Sequence, residues 1–84
     1  MKQEAEFFGD QEMDLIYIAK KLREALKLEE RLTAAGIDYA VEVDEYRGGV
    51  IFPSTRKGAF FYVLPADLER ARTVVTEAGF TFPT

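Results

Sequence analysis

The segment TAAGI at residues 33–37 returns 43 residues later as TEAGF at residues 76–80. The same offset lays Leu32 over Val75, Leu28 over Ala71 and Glu24 over Asp67. Each half of the chain therefore carries one helix of the same design and the same way of ending it. KKLREALKLEERLTAAG has the composition of a helix and contains no proline. Within it Leu22, Ala25, Leu28, Leu32 and Ala35 recur at three- and four-residue steps and form an apolar stripe. PADLERARTVVTEAG repeats the pattern with Leu68, Ala71, Val74, Val75 and Ala78. Gly36 and Gly79 stand where a helix closes on a left-handed residue, and Pro65 stands where one begins.

Strand signals surround the two helices. MDLIYIA and AFFYVL are unbroken apolar runs of strand length, as expected of strands covered on both faces. Every residue of AFFYVL is apolar, so the pattern leaves open which side chains share a face. IDYAVEVDEY alternates, with Ile37, Tyr39, Val41 and Val43 on one side and Asp38, Ala40, Glu42 and Asp44 on the other. That is the pattern of a half-exposed edge strand. FTF leaves room for a short last strand, and Val50 to Phe52 for a short extra one ended by Pro53. The order β-α-β-β-α-β predicts an α+β, ferredoxin-like two-layer sandwich: a four-stranded antiparallel sheet with two helices on one face. Strands one and three would be central, strands two and four edges. Residues 13–84 form this single domain, and residues 1–12 are expected as a flexible acidic tail, mobile or docked on a partner.

With 84 residues the core is thin, and an exposed apolar sheet face would favour oligomerisation, a homodimer being the simplest case. No apolar run reaches the ~20 residues needed to cross a bilayer, and MKQEAEFFGD is no secretory leader. The absence of cysteine fits a cytoplasmic protein. There is no histidine either, so the commonest general base, the thiol nucleophile and the usual zinc ligands are all missing. Ser54, the only serine, has no histidine to activate it. A non-enzymatic protein without cofactor or metal is expected. A net charge of −4 argues against general nucleic-acid binding, because phosphate affinity rests on clustered Lys and Arg.

The RNA-recognition motif shares this topology and stacks bases on aromatics of its central strands. KGAFFYVL resembles its longer motif at Lys57, Gly58 and Phe61, and IYIAKKL resembles its shorter one at Ile16, Tyr17, Ile18 and Leu22. The resemblance implies Tyr17 and Phe61 as stacking residues, which makes single-stranded RNA binding the alternative function. Against it, Ala59 replaces an expected aromatic, Phe60 and Tyr62 are bulky where small core residues are normal, and Asp38, Glu42 and Asp44 would repel phosphates.

A second resemblance spans Asp14 to Phe80. Ala25, Leu32 and Ala34 to Ile37 match the first helix and its boundary in a family of small bacterial proteins described as signal-transducing, with a fold like the PII regulators. Asp67, Glu69, Arg70, Ala71, Arg72, Val74 and Val75 are similar to the family's second helix. The resemblance implies a regulatory or sensing role without catalysis. It also directs attention to the connection between strands two and three, the functional loop of PII proteins. Here that connection, Tyr46 to Gly58, reads as a long loop rich in turn residues. Arg47, Arg56 and Lys57 would supply charge, Gly48, Gly49 and Gly58 close backbone approach, and Ser54 and Thr55 hydroxyl donors to a small anion or a protein partner.

Overall fold

Thirteen residues from Leu22 to Ala34 form the longer helix, α2, and ten from Leu68 to Glu77 form α3. This is a computed structural model that describes residues 1–48 and 54–81. A short N-terminal helix, α1, covers Ala5–Phe8, and a 3-10 turn at Pro65–Asp67 leads into α3. Three strands, β1 (Asp14–Ala19), β2 (Tyr39–Gly48) and β3 (Ser54–Val63), form an antiparallel sheet in the order β1-β3-β2.

The repeated segments are two copies of one helix ending. In the first, the N–H of Gly36 donates to the Thr33 carbonyl and that of Ile37 to the Leu32 carbonyl. In the second, Gly79 donates to Thr76 and Phe80 to Val75. Both glycines have positive φ, 73° and 88°, which only a residue without a β-carbon adopts freely. The helix positions that superimpose under the repeat, Leu28 with Ala71 and Leu32 with Val75, are all fully buried.

Four buried helix residues, Leu28, Leu32, Ala71 and Val75, share one cluster with Ile16, Tyr39, Phe61 and Val63 of the sheet, so both helices cover the same face. Register then settles which side chains lie on it. Tyr39 is opposite Val63, Val41 opposite Phe61 and Val43 opposite Ala59. Directly paired residues share a face, so Ala59, Phe61 and Val63 point toward the helices, while Phe60 and Tyr62 point away. On β1 the register shifts between Leu15 and Tyr17. Ile16 is the extra residue of this β-bulge, which lets Ile16 and Tyr17 both lie on the helix side while Leu15 stays opposite Tyr62.

Two expectations about the sheet are corrected. Among the described residues it has three strands, not the four of a ferredoxin-like sheet, and β1 is an edge rather than a central strand. The last strand does not start at Phe80 or Thr81, because the Phe80 N–H is spent closing α3 and its ring stacks on Tyr17 at 4.8 Å between centroids. The putting-together of Val50–Phe52 into an extra strand lies outside the described residues, as does residue 82. The long loop is also corrected: Tyr46–Gly48 and Ser54–Gly58 continue the β2–β3 ladder, with Tyr46 opposite Arg56, Arg47 opposite Thr55 and Gly48 opposite Ser54.

Within the segment 1–12, expected as a flexible tail, residues 1–3 and Phe8 contact their own domain. Lys2 bridges Tyr39 in parallel at the free edge of β2, the Gln3 N–H donates to the Tyr39 carbonyl (2.8 Å), and the Tyr39 N–H donates to the Met1 carbonyl (3.0 Å). Gln3 Nε2 donates to Asp38 Oδ1 at 3.2 Å, and the Lys2 ammonium lies 4.0 Å from Glu29. The chain then crosses to the face that the helices leave open, where Phe8 is buried to 4% exposure beside Ala40. Phe8 supplies this N-terminal strap with an apolar anchor, and the edge of β2 supplies it with backbone partners.

Candidate functional site

The helix side of the β2–β3 hairpin runs past the end of α2, and a groove of about 190 Å³ opens there. Its walls come from three places. Ala19, Lys20 and Lys21 belong to the β1–α2 turn, Leu22 and Ala25 to the first turn of α2, and Val43, Lys57, Gly58 and Ala59 to the hairpin. Lys57 shares the face of Ala59 and Phe61, two and four residues along the strand, which aims it at the groove. Leu22 and Val43 are each 75% exposed, the most exposed of the large apolar side chains among the described residues. The apolar stripe predicted for α2 therefore holds at Ala25, Leu28 and Leu32 and fails at both ends: Ala35 is exposed at the C-cap, and Leu22 overhangs the groove instead of packing on the core.

The start of α2 is built against its own electrostatics. Lys21 is the N-cap, with extended backbone angles (φ −132°, ψ 145°) and no side-chain cap hydrogen bond. Helix starts favour Ser, Thr, Asp or Asn at that position, and the positive end of the helix dipole repels cations. Glu24 in the first turn offsets part of this: its carboxylate accepts from the Lys20 backbone N–H at 3.3 Å. Glu24 also neighbours the Tyr17 hydroxyl. Burial, helped by the Glu24 charge, lifts Tyr17 ionisation above its ordinary value.

The residues singled out from sequence fare differently. Lys57 and Gly58 line the groove. Arg47, Gly48, Ser54, Thr55 and Arg56 lie in the strand ladder, so the backbone there is paired rather than curled about an anion, and Gly49 lies outside the described residues. The proposed base-stacking pair is corrected. Phe61 has no exposed surface, and Tyr17, its register partner on the helix side, is capped by Phe80. Neither presents a ring face on the open side of the sheet. Lys20, Lys21, Leu22 and Val43 were missed. The available signal was a pair of lysines just where a helix ordinarily starts with a capping side chain.

A second cavity, of about 320 Å³, lies between the N-terminal strap and the open face of the sheet. On that face Glu42 and Asp44 are exposed and stand near Tyr62; burial first, then these two carboxylates, raise Tyr62 ionisation above its ordinary value. Among the described residues no three His, Cys, Asp or Glu side chains are grouped to hold a metal ion, and no helix is long and apolar enough to cross a membrane. No protein-family model, no curated protein and no solved structure matches this chain.

Proposed function

We propose that this chain is a non-enzymatic interaction module whose basic groove receives an acidic, partly apolar segment of a protein partner. The observation that carries the proposal is the juxtaposition of Lys20, Lys21 and Lys57 with two apolar side chains left three-quarters exposed. Ammonium groups alone would be an ordinary solvated surface. Leu22 and Val43 beside them give an incoming apolar side chain something to cover, while the lysines select a neighbouring carboxylate. Lysine at the N-cap, with no side-chain cap hydrogen bond, costs the helix stability, and such local conflicts tend to mark function. The resemblance to a PII-like signalling family supports the same regulatory reading, and a chain without cysteine suits a cytoplasmic setting. Self-association belongs to the proposal too: Leu15, Ile18 and Phe60, half-buried on the open face, would be covered by a second copy in a homodimer.

The test is equilibrium titration with a fluorescein-labelled peptide of alternating aspartate and leucine. Binding should weaken as salt rises and be lost in Lys57→Glu. Equal binding by the wild type and Lys57→Glu would overturn the reading. Pyrophosphate displacing the peptide at equal concentration would mark the groove as a small-anion site instead.

A further inference from the structure

We propose that the cavity beneath the N-terminal strap is a binding site for an alkylammonium group, distinct in place and in charge from the basic groove. Phe8 from the strap and Tyr62 from β3 both line it, so it carries aromatic surface from two separate elements. Met13 and buried Ala40 add apolar lining, Gln11 adds a polar side chain from the strap, and exposed Glu42 lines the cavity as well. At about 320 Å³ the cavity is at the small end of ligand sites, large enough for a compact head group and little else.

The chemistry selects the charge of the occupant. An aromatic ring attracts a cation over its face, and the attraction grows as water is excluded. Glu42 supplies a full negative charge at the same place. Asp44 lies on the same face, and together the two carboxylates act on the Tyr62 hydroxyl, which places the ring in a negative field. An anion would be repelled by the Glu42 charge, and a neutral ligand would gain only the apolar and aromatic lining. A cation with apolar substituents uses the aromatic surface, the apolar lining and the carboxylate together. The site exists only when the strap is docked, because Phe8 forms one side of it. An occupant therefore stabilises the docked strap by mass action, in proportion to its concentration over its Kd.

Such a group could be carried by a free amine or by a lysine side chain, and the experiment separates the two. The full chain is titrated with choline, with its uncharged isostere 3,3-dimethylbutan-1-ol, and with N-acetyl-lysine methylamide. The Met13 methyl and Tyr62 ring resonances are followed at constant ionic strength. Choline or the lysine amide should give saturable shifts at both residues, and whichever binds more tightly identifies the source. The uncharged isostere should bind at least about fivefold more weakly than choline. Glu42→Gln, a surface change that leaves the fold intact, should weaken both cations by a similar factor. Equal binding of choline and its isostere, unchanged affinity in Glu42→Gln, or shifts that never saturate would each overturn the assignment. Phe8→Ala should abolish the shifts; if they persist at Tyr62 without the Phe8 ring, the site as drawn is wrong.

Discussion

Replacing Lys21 by serine should make the protein more stable and less able to bind. Lys21 caps α2 with no side-chain hydrogen bond, so the first N–H groups of the helix lack the partner a serine hydroxyl would give. A good cap in place of a poor one contributes about 1 kcal/mol. Glu24 stands three residues on, the spacing at which a serine cap and a glutamate bond each other's backbone N–H. Removing a cation from the positive end of the helix adds about 0.3–1 kcal/mol. The sum is about 1–2 kcal/mol, and for a domain of this size each kcal/mol moves Tm by about 4–8 °C. A thermal melt followed by far-ultraviolet circular dichroism should therefore show Lys21→Ser melting about 4–16 °C above the wild type. The same variant should bind the acidic peptide about threefold more weakly at low salt, in keeping with the loss of one exposed ion pair. A variant that gains no stability would refute the account of the helix start. One that is stabilised yet binds unchanged would remove Lys21 from the groove's function.

Leu32→Ala, at a fully buried position, should cost about 2–5 kcal/mol in a urea titration, with the spread set by how far the cavity relaxes. Phe8→Ala should cost less, about 1–3 kcal/mol, because the strap can detach and so cap the loss; amide exchange at Gln3 and Tyr39 should rise while that of Leu28 stays slow. Gly36→Ala and Gly79→Ala should each cost about 1–2 kcal/mol of backbone strain, since nothing lies within 4 Å of the added carbon at either place; Gly36→Asn should recover part of that. Tyr17, Tyr39 and Tyr62 all ionise above pH 10 in the folded state, with burial the first cause at each. Unfolded tyrosines ionise first as pH rises, so stability is full below pH 10 and falls above it as the folded groups are approached. Urea midpoints that stay level from pH 9 to pH 11.5 would contradict those environments.

The helical half of the fold was legible because its signal is redundant. The repeat, the apolar spacing and the two glycines all specify the same helix endings, and each has a physical counterpart in the closing hydrogen bonds. β2 was legible for a similar reason: Tyr39 and Val41 alternate with Ala40 and Glu42, and register places the two sets on opposite faces. β3 could not be read this way. In AFFYVL both faces are apolar, so only pairing reveals that Phe61 is core and Phe60 is not. The bulge at Ile16 is equally silent, because an added residue in an apolar run leaves no gap in the pattern. The hairpin was read as loop because its turn-forming residues are local signals, whereas strand pairing across Arg47 and Thr55 is a tertiary one. The groove mixes residues far apart in sequence, and only Lys57 and Gly58 were within the segment that drew attention.

The basic groove between α2 and the hairpin is the proposed interaction site of this chain. Its most direct test is a map of backbone amide shifts as the acidic, leucine-bearing peptide is added to the full protein. The account predicts shifts gathered on residues 19–25, Val43 and residues 57–59, with the open face near Ile18 and Tyr62 undisturbed. Shifts centred on the open face, or scattered without a focus, would contradict it.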